Sequence, residues 1–300
     1  MRDRILVVGS LNYDIIARVG HIHSLGETQS AEEGAIGCGG KGGNQAVQAA
    51  KLGKNVIMYG KVGNDAEGIF LTEHLAKYGV NAQFIEHDGN VSGLSFANVL
   101  PDGSVYSTII HGANHRIKKE DIDRIWHLAE DAAYLVLQLE IPIEITEYIM
   151  RKAKGSGVKI VLNAAPAEKF DLSLLADCYL FVVNEVEASV YTGKAVSSKE
   201  DAFSASDKLF SMGSRRHVIT LGSLGSVIAE DGKKTFVPAV KVNNAVDTTG
   251  AGDSYVGAVT AKLLEGKSLL EAAEFATRCS AVAVTRIGCQ EAMPYACEIV

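Results

Sequence analysis

The second half of the chain alternates short apolar runs with helix-length segments, and this alternation restricts the fold more than any other feature. Short apolar runs bounded by polar or glycine-rich segments are typical of strands that are buried on both faces of a sheet. The predicted strands are YLVLQLE, VKIVLNAA, YLFVVN, HVITLG and SVIAE, with predicted helices at 143–155, 185–192 and 199–213. The apolar run at 5–9 adds a strand near the start. This pattern predicts an α/β fold with a mostly parallel sheet and helices on both faces.

Polar residues follow several of these strands. Open parallel sheets bind their ligands at the carboxyl ends of the strands, so these positions predict a ligand-binding edge. The polar and glycine residues at this edge are Asn12, Asp14, Glu140, Asn163, Asn184, Glu187, Thr220, Gly222 and Gly225.

A first glycine-rich segment, GCGGKGGNQAVQAAKLG at 37–53, predicts a loop followed by an Ala-rich helix after Asn44. It contains the dinucleotide spacing G-x-G-x-x-G at Gly37, Gly39 and Gly42. However, the strand with the proper lead-in for such a loop is the first one, and the turn after it, GSLNYD, lacks the fingerprint. The alternative is that residues 39–44 hold a polar ligand through backbone amides, Lys41 and Asn44. An ordinary glycine turn would not need Lys and Asn beside so many glycines.

A second glycine-rich segment is DTTGAGDSYVGA at 247–258. Residues 240–246 are interpreted as a strand that leads into this segment. A strand, a glycine-rich turn and a helix N-terminus in this order would present unpaired backbone N–H groups to an anion. The carboxylate of Asp253 would repel an anion bound at this site. Its presence there is explained if Asp253 is a base that takes a proton from a hydroxyl attacking a phosphoryl group. The other interpretation is that Asp253 is only a helix N-cap.

The remaining first half predicts a small separate sheet. Two strands are expected within 15–36, and a hairpin with Asp102-Gly103 at its turn is expected within 94–110. Helices are predicted at 65–78, 117–128 and 268–286. Since no linker or repeat divides the chain, we expect a single domain of residues 1–300 with the small sheet inserted as a lid.

Composition restricts the partners. The 300 residues carry a formal net charge of −7, which argues against nucleic acid or an anionic membrane as a partner. The five cysteines form no C-x-x-C pair, which favours a reduced protein without disulfides or structural zinc. Met1 leads directly into a strand and no apolar run reaches transmembrane length, so a soluble cytoplasmic protein without a signal peptide is expected.

The motifs GSLNYD, GGKGGNQA, QLE, NAAPA, NEVE, TLGSLG and DTTGAGD occur together and in this order. In this respect the chain resembles the ribokinase-like (PfkB) carbohydrate kinases, over essentially its whole length. The resemblance implies a three-layer α/β sandwich with a β-sheet lid. It also implies ATP-dependent phosphorylation of a sugar, D-ribose at its primary hydroxyl, with Mg²⁺ and a K⁺ activator. A homodimer formed through the lid is expected.

The resemblance also implies roles for individual residues. Asp253 is expected to be the base, with an anion hole formed by Gly250, Ala251 and Gly252. The sugar is expected to contact Asn12, Asp14, Gly40, Lys41, Gly42, Gly43, Asn44, Glu140 and Asp253. ATP is expected at Asn184, Thr220, Leu221, Gly222, Ser223, Leu224, Gly225, Gly252 and Thr277. Glu187 is expected to bind Mg²⁺ through water, and K⁺ is expected mostly at backbone carbonyls of Asp247, Thr249, Ala283, Arg286, Gly288 and Ala292.

Some positions depart from the family pattern. Tyr13 is bulky, HSLGET replaces a proline-rich lid approach, Thr277 stands where Asn is common, and Ala292 lacks the hydroxyl of Ser. Three other functions remain as alternatives. These are a PfkB-type kinase for another sugar or a nucleoside, a dinucleotide oxidoreductase using residues 37–42, and an inactive sugar-binding regulator. Tyr13 and Phe96 are the aromatic residues that could form a slot for a nucleoside base.

Overall fold

A computed structural model describes residues 2–101 and 104–299 and contains, within those ranges, a nine-stranded sheet and a four-stranded sheet. The strands are β1 Arg4–Val8, β2 Asn12–Arg18, β3 Glu33–Gly39, β4 Asn55–Gly63, β5 Asn81–Asp88, β6 Gly93–Val99, β7 Val105–Ile110, β8 Tyr134–Leu137, β9 Lys159–Asn163, β10 Leu180–Asn184, β11 Arg216–Thr220, β12 Gly225–Glu230 and β13 Lys233–Pro238. The helices are α1 Lys41–Lys51, α2 Ala66–Lys77, α3 Lys119–Asp131, α4 Ile143–Ala153, α5 Glu185–Thr192, α6 Lys199–Ser211, α7 Ala251–Leu264 and α8 Leu269–Ala283.

The large sheet has the strand order β13-β12-β11-β10-β9-β8-β1-β4-β5. All neighbours from β11 to β5 are parallel. Successive residues of β1 point to opposite faces, because side chains alternate along a strand. Ile5 and Val7 pack in one core with α1, α2, α7 and α8, whereas Leu6 and Val8 pack in a second core with α3 to α6. The predicted α/β architecture with helices on both faces is therefore confirmed.

Two predictions for the region after β11 are wrong. SVIAE forms β12, but this strand is antiparallel to β11, because only a short 3₁₀ turn connects them and a parallel crossover needs a dozen or more residues. Residues 240–246 form no strand. The sheet ends at β13, whose last residue Pro238 cannot donate to a further strand, and Val240 and Val246 are exposed. The edge strands β5 and β13 were not predicted.

The first glycine-rich segment also differs from its prediction. Gly37 and Gly39 belong to β3, and α1 begins at Lys41 rather than after Asn44, so only Gly40 separates strand from helix. The three glycines of the dinucleotide spacing therefore do not form a loop. This removes the structural basis for the oxidoreductase alternative.

The small sheet has the order β3-β2-β6-β7 and forms the predicted lid. Its strands lie within or next to the expected ranges 15–36 and 94–110, while the expected turn residues Asp102 and Gly103 lie outside the described residues. Because β2 starts at Asn12, the chain passes directly from the carboxyl end of β1 into the lid. Within the described ranges, no helix combines the length and hydropathy needed to cross a bilayer.

Candidate active site

The loop after β1 packs against the N-terminus of α1, and glycines make this contact possible. Gly40 has φ of 82°, and a Cβ atom there would lie 2.8 Å from the backbone N of Asn12. A Cβ on Gly42 would lie 2.7 Å from the backbone N of Ser10. Both positions therefore require glycine, the first also because its φ is positive. The predicted sugar-binding residues Asn12 and Lys41 are brought together by this packing.

Glu140 follows β8 and joins three segments at this edge of the sheet. Its Oε2 accepts hydrogen bonds from Oγ of Ser10, at 2.5 Å, and from the backbone N–H of Lys41, at 3.0 Å. The carboxylate is thereby fixed beside the start of α1. A buried carboxylate held by donors in this way can still accept from a ligand with its other oxygen.

Asp253 is the third residue of α7, and the residue that caps the helix is Gly250, so the N-cap interpretation of Asp253 is wrong. The carboxylate is buried and accepts from Nδ2 of Asn44 and from Nε2 of Gln45, both at 2.9 Å. Burial raises the pKa of Asp253, while the ammonium of Lys41 and the two amide donors oppose this shift without cancelling it. The result is a carboxylate that is more basic than a typical surface aspartate.

Lys41 lies among three carboxylates. Burial lowers its pKa, but Asp253, Glu140 and Glu187 outweigh this effect and leave the pKa above its usual value. Lys41 therefore stays charged and supplies a fixed positive charge between the two predicted ligand sites. Such a charge suits the transfer of a phosphoryl group, in which negative charge moves between oxygens.

Asn12 and Asp14 lie two residues apart on β2 and so share one face of the lid. Oδ1 of Asn12 accepts from Nδ2 of Asn114, at 2.8 Å. Burial, followed by repulsion from Glu140, Asp253 and Glu291, raises the pKa of Asp14 to about 7, although a hydrogen bond with Ser95 opposes the shift. The proximity of these carboxylates indicates that the lid face bearing Asp14 looks toward Asp253.

Tyr13 points to the opposite face of the lid. Its ring packs edge-on against Phe70 of α2, with the centroids 5.5 Å apart. Phe96 pairs with Ile15, so it lies on the same face as Tyr13, because directly paired residues share a face. Neither aromatic residue lies on the face that bears Asp14.

A cavity of about 200 Å³ connects Asp253 with the carboxyl ends of the neighbouring strands. The predicted site residues that line it are Lys41, Asn184, Glu187, Thr220, Gly250, Gly252 and Asp253. Asn184, Thr220 and Gly252, which are expected to bind nucleotide, therefore line the same cavity as the expected base. Leu221, Gly222, Ser223, Leu224 and Gly225 continue directly from Thr220 through a 3₁₀ turn into β12.

Known proteins match this chain along its full length. A model of the pfkB family of carbohydrate kinases matches residues 2–296. The chain belongs to the PfkB family of carbohydrate kinases. A deoxyribokinase of Salmonella typhimurium is 35% identical over 97% of this chain and 95% of its own. A ribokinase of Schizosaccharomyces pombe is 35% identical over 98% of this chain and 96% of its own. The structure of Arabidopsis thaliana ribokinase complexed with ribose and ATP superposes with a TM-score of 0.90, at 29% identity, covering 100% of this chain and 98% of that one.

In the part of the chain that the structure describes, Glu187 and Asp253 are the acidic residues that line the cavity, and Glu187 is the one expected to hold Mg²⁺. Within the described residues no group of three or more His, Cys, Asp or Glu side chains could hold a metal ion. Glu187 lines the cavity, and its two oxygens accept from the backbone N–H and from Nδ2 of Asn184. Burial raises the pKa of Glu187. A single fixed carboxylate fits a Mg²⁺ that keeps its waters and is bound mainly by substrate phosphates.

The positions expected for K⁺ lie at the end of α8 and on two loops that contact each other. Asp247 accepts from the backbone N–H of Thr249, at 2.9 Å, and from that of Gly288, at 3.1 Å. The guanidinium of Arg286, which pairs with Glu298 at 2.6 Å, is itself a cation without an acceptor atom, so only the backbone carbonyl of Arg286 suits K⁺. Ala283 and Ala292 are both buried. Backbone carbonyls and one carboxylate on joined loops fit a hard monovalent cation.

Two of the predicted site residues are engaged in other contacts. The backbone N–H of Ala251, expected in the anion hole, donates to the carbonyl of Thr248, at 3.2 Å. Thr277 is not among the described residues that line the cavity, and its hydroxyl donates to the carbonyl of Ala273 within α8, at 2.8 Å.

Sequence reasoning missed several polar residues that support the site. Ser10 binds Glu140, Asn114 binds Asn12, and Gln45 binds Asp253. Gln45 directly follows Asn44 in the motif GGNQA, so adjacency was the available signal. It was not sufficient, because the partners of Gln45 come from strand ends and a helix that are remote in sequence.

Proposed function

We propose that this chain transfers the γ-phosphoryl group of ATP to the primary hydroxyl of D-ribose, giving D-ribose 5-phosphate and ADP. One observation carries the proposal: Asp253 is buried at the N-terminus of α7 between Asn44 and Lys41, where the polar cavity meets the lid face bearing Asp14. Family membership and the ribose- and ATP-bound relative support the same reaction.

In the proposed complex the sugar lies between the lid and α1. Asp14 and Glu140 would accept hydrogen bonds from its ring hydroxyls, and Asn12, Lys41 and Asn44 would donate hydrogen bonds to them. The primary hydroxyl would face Asp253. Gly40, Gly42 and Gly43 let α1 pack closely on the loop after β1, and this packing would bring the start of α1 within reach of the sugar.

The phosphoryl group would then move in line from ATP to this hydroxyl. Asp253 accepts the hydroxyl proton as the new O–P bond forms, and the bond between the β–γ bridging oxygen and the γ-phosphorus breaks. Gly250 and Gly252 would offer the N-terminus of α7 to the transferring group. Asn184 and Thr220, with the turn at 221–225, would hold ATP.

Two ions are proposed to assist. Glu187 would hold, through water, a Mg²⁺ that neutralises charge on the ATP phosphates. Asp247, Thr249, Ala283, Arg286, Gly288 and Ala292 would hold a K⁺ that adds positive potential behind the glycine turn. Replacing K⁺ by tetramethylammonium should lower the rate, and an unchanged rate would contradict the K⁺ proposal.

We further propose that the chain acts as a single domain, in the cytoplasm, as a homodimer joined through its lid. The lid sheet supports the last point. It has exposed edges and exposed apolar residues, which a second copy could cover.

Substrate preference is tested by comparing kcat/KM for ribose, 2-deoxyribose, fructose, adenosine and pseudouridine. We expect ribose to lead, since a pocket that binds a hydroxyl discriminates against an analogue that lacks it. The deoxyribokinase relative makes 2-deoxyribose the sharpest competitor. Tyr13 and Phe96 lie on the lid face opposite Asp14, which disfavours a nucleoside. A nucleoside or 2-deoxyribose at the head of the series would overturn the ribose assignment.

A further inference from the structure

A chain of buried amide side chains lies beside Asp253, and one of its members, Asn163, also lines the cavity. Nε2 of Gln138 donates to Oε1 of Gln45, at 2.8 Å. Nε2 of Gln45 in turn donates to Oδ1 of Asn163 and to Oδ1 of Asp253, both at 2.9 Å. The exposed fractions of Gln45 and Gln138 are 1% each, so water cannot replace these contacts. The ends of β8 and β9 therefore hold one side chain of α1 against the expected base.

The direction of each hydrogen bond in this chain is fixed by groups that can only accept. Nδ2 of Asn163 donates to the backbone carbonyl of Val182, at 3.2 Å, so Oδ1 of Asn163 must face Gln45. The carboxylate of Asp253 likewise only accepts. Both neighbours therefore require the NH₂ group of Gln45, and a flipped amide would place oxygen against oxygen at two contacts.

Gln45 and Asn44 donate hydrogen bonds to different oxygens of the Asp253 carboxylate. Asn44 donates to Oδ2 and, under the proposed function, also contacts the sugar, so this donor is shared with the substrate. Gln45 donates to Oδ1 and is not among the described residues that line the cavity. Its contact with Asp253 is therefore independent of any ligand.

We propose that Gln45 is a positioning residue for phosphoryl transfer: it holds Oδ1 of Asp253 so that Oδ2 faces the substrate hydroxyl, and it keeps the carboxylate ionised within a buried site. The inference rests on the proposed function, because it concerns the same base. The amide donor stabilises the ionised carboxylate relative to the protonated one. Its removal should therefore impair the base itself, rather than the binding of sugar or ATP.

The chain offers a matched control one turn further along α1. Gln48 has an exposed fraction of 0%, and it too forms two buried hydrogen bonds. Its Oε1 accepts from Oγ of Ser254, at 2.6 Å, and its Nε2 donates to the carbonyl of Pro294, at 3.1 Å. Gln48 thus contacts the residue next to Asp253 on α7 through the same chemistry, but its own hydrogen bonds do not involve the carboxylate.

The experiment compares Gln45→Met and Gln48→Met with the wild-type protein in Tm, kcat, KM and the pH dependence of kcat/KM. Both variants leave buried partners unsatisfied and should lose similar amounts of thermal stability. Only Gln45→Met should lower kcat, by about tenfold or more, with KM for sugar and ATP within about threefold. In the pH profile of kcat/KM for Gln45→Met, the apparent pKa of the acid limb should rise by about half to one pH unit, because the base binds its proton more tightly.

Gln45→Glu provides a second, isosteric variant in case Gln45→Met does not fold. A second carboxyl beside Asp253 would share a proton with it and should move the acid limb further up. The proposal would be contradicted by equal losses of kcat in Gln45→Met and Gln48→Met. It would also be contradicted if the acid limb kept its wild-type pKa in the folded Gln45 variants, since Gln45 would then have a structural role only. A wild-type protein with no activity on any sugar would instead refute the proposed function.

Discussion

At the scale of single residues, Asp253 lies where burial disfavours its ionised form and nearby donors favour it. We expect Asp253→Asn to fold and to bind sugar and ATP, because Asn has nearly the same shape, with the loss of one of the two hydrogen bonds from Asn44 and Gln45. Its kcat should fall by about 10²–10⁴-fold, the usual contribution of a positioned base. Calorimetric titration with each ligand and a coupled ADP-release assay check the two parts. A variant that keeps more than about a tenth of the wild-type rate would show that Asp253 is not the base.

Asp14 gives a prediction for the effect of pH on stability. Its pKa is raised from its ordinary value to about 7, so the folded protein binds a proton there that the unfolded chain releases at lower pH. The stabilising effect of this proton is complete below the unfolded pKa and is lost as pH rises toward 7. Asp14→Asn should therefore raise Tm at pH 8 by a few degrees, relative to the wild type, and by less at pH 5.

Thermal unfolding of the ligand-free proteins at both pH values measures this difference. Glu144→Gln, in the first turn of α4, is a control outside the site and should not raise Tm at pH 8, because a negative charge at a helix N-terminus is stabilising. A gain for Asp14→Asn that is the same at pH 5 and pH 8 would contradict the assignment.

At the scale of elements, local patterns predicted most of the strands and helices. Apolar runs and their spacing depend on neighbouring residues, so β1 and β8 to β11 were identified from sequence. The antiparallel direction of β12 depends on the length of its connection, and the exposed path of residues 240–246 depends on whether a partner strand remains available. Neither property is contained in an apolar pattern.

The start of α7 supplies a prediction about the glycine turn. Gly250 has φ of 75°, and a Cβ atom there would collide with Sγ of Cys289. We expect Gly250→Ala to lose about 1–2 kcal/mol through the left-handed conformation, and more through the collision. Its kcat should also fall, because Gly250 lines the cavity beside Asp253. Urea unfolding and initial rates measure both effects.

Gly266→Ala is the control for this variant. Gly266 follows the C-terminus of α7 with φ of 80°, but an added Cβ atom meets nothing within 4 Å. It should therefore show the conformational cost alone and keep the wild-type kcat. Adding Cys289→Ala should restore part of the stability of Gly250→Ala. Equal free energies of unfolding for the two alanine variants would exclude the collision.

At the scale of the whole molecule, the site joins segments that are remote in sequence. The hydrogen bond between Gln45 and Asn163 spans 118 residues, and that between Gln45 and Asp253 spans 208. The resemblance to the PfkB family predicted that Asn44, Lys41 and Asp253 belong to one site, whereas the two glycine-rich segments by themselves indicated only two separate ligand-binding loops. Gln45 and Ser10 could not be assigned from sequence, because their roles depend on which strand ends meet them.

The lid supplies the prediction for assembly. Ile36 and Ile110 expose 62% and 43% of their surfaces, on a sheet that is too small to bury both faces by itself. A two-fold contact between lids would cover these residues and the open strand edges. We expect light scattering at about 10 µM to give the mass of a dimer, and Ile36→Lys to weaken it by at least about thirtyfold in Kd, as for a residue central to an interface.

Val190→Lys is the matched control, because Val190 exposes 55% of its surface on α5, a helix that packs on the large sheet. This variant should remain dimeric, which separates loss of the lid contact from a general effect of added charge. A wild-type monomer at 10 µM, or a monomer in both lysine variants, would contradict dimerisation through the lid. The lid also carries Asn12 and Asp14, so a monomeric Ile36→Lys should show a raised KM for the sugar, since the contact that orders the lid is lost.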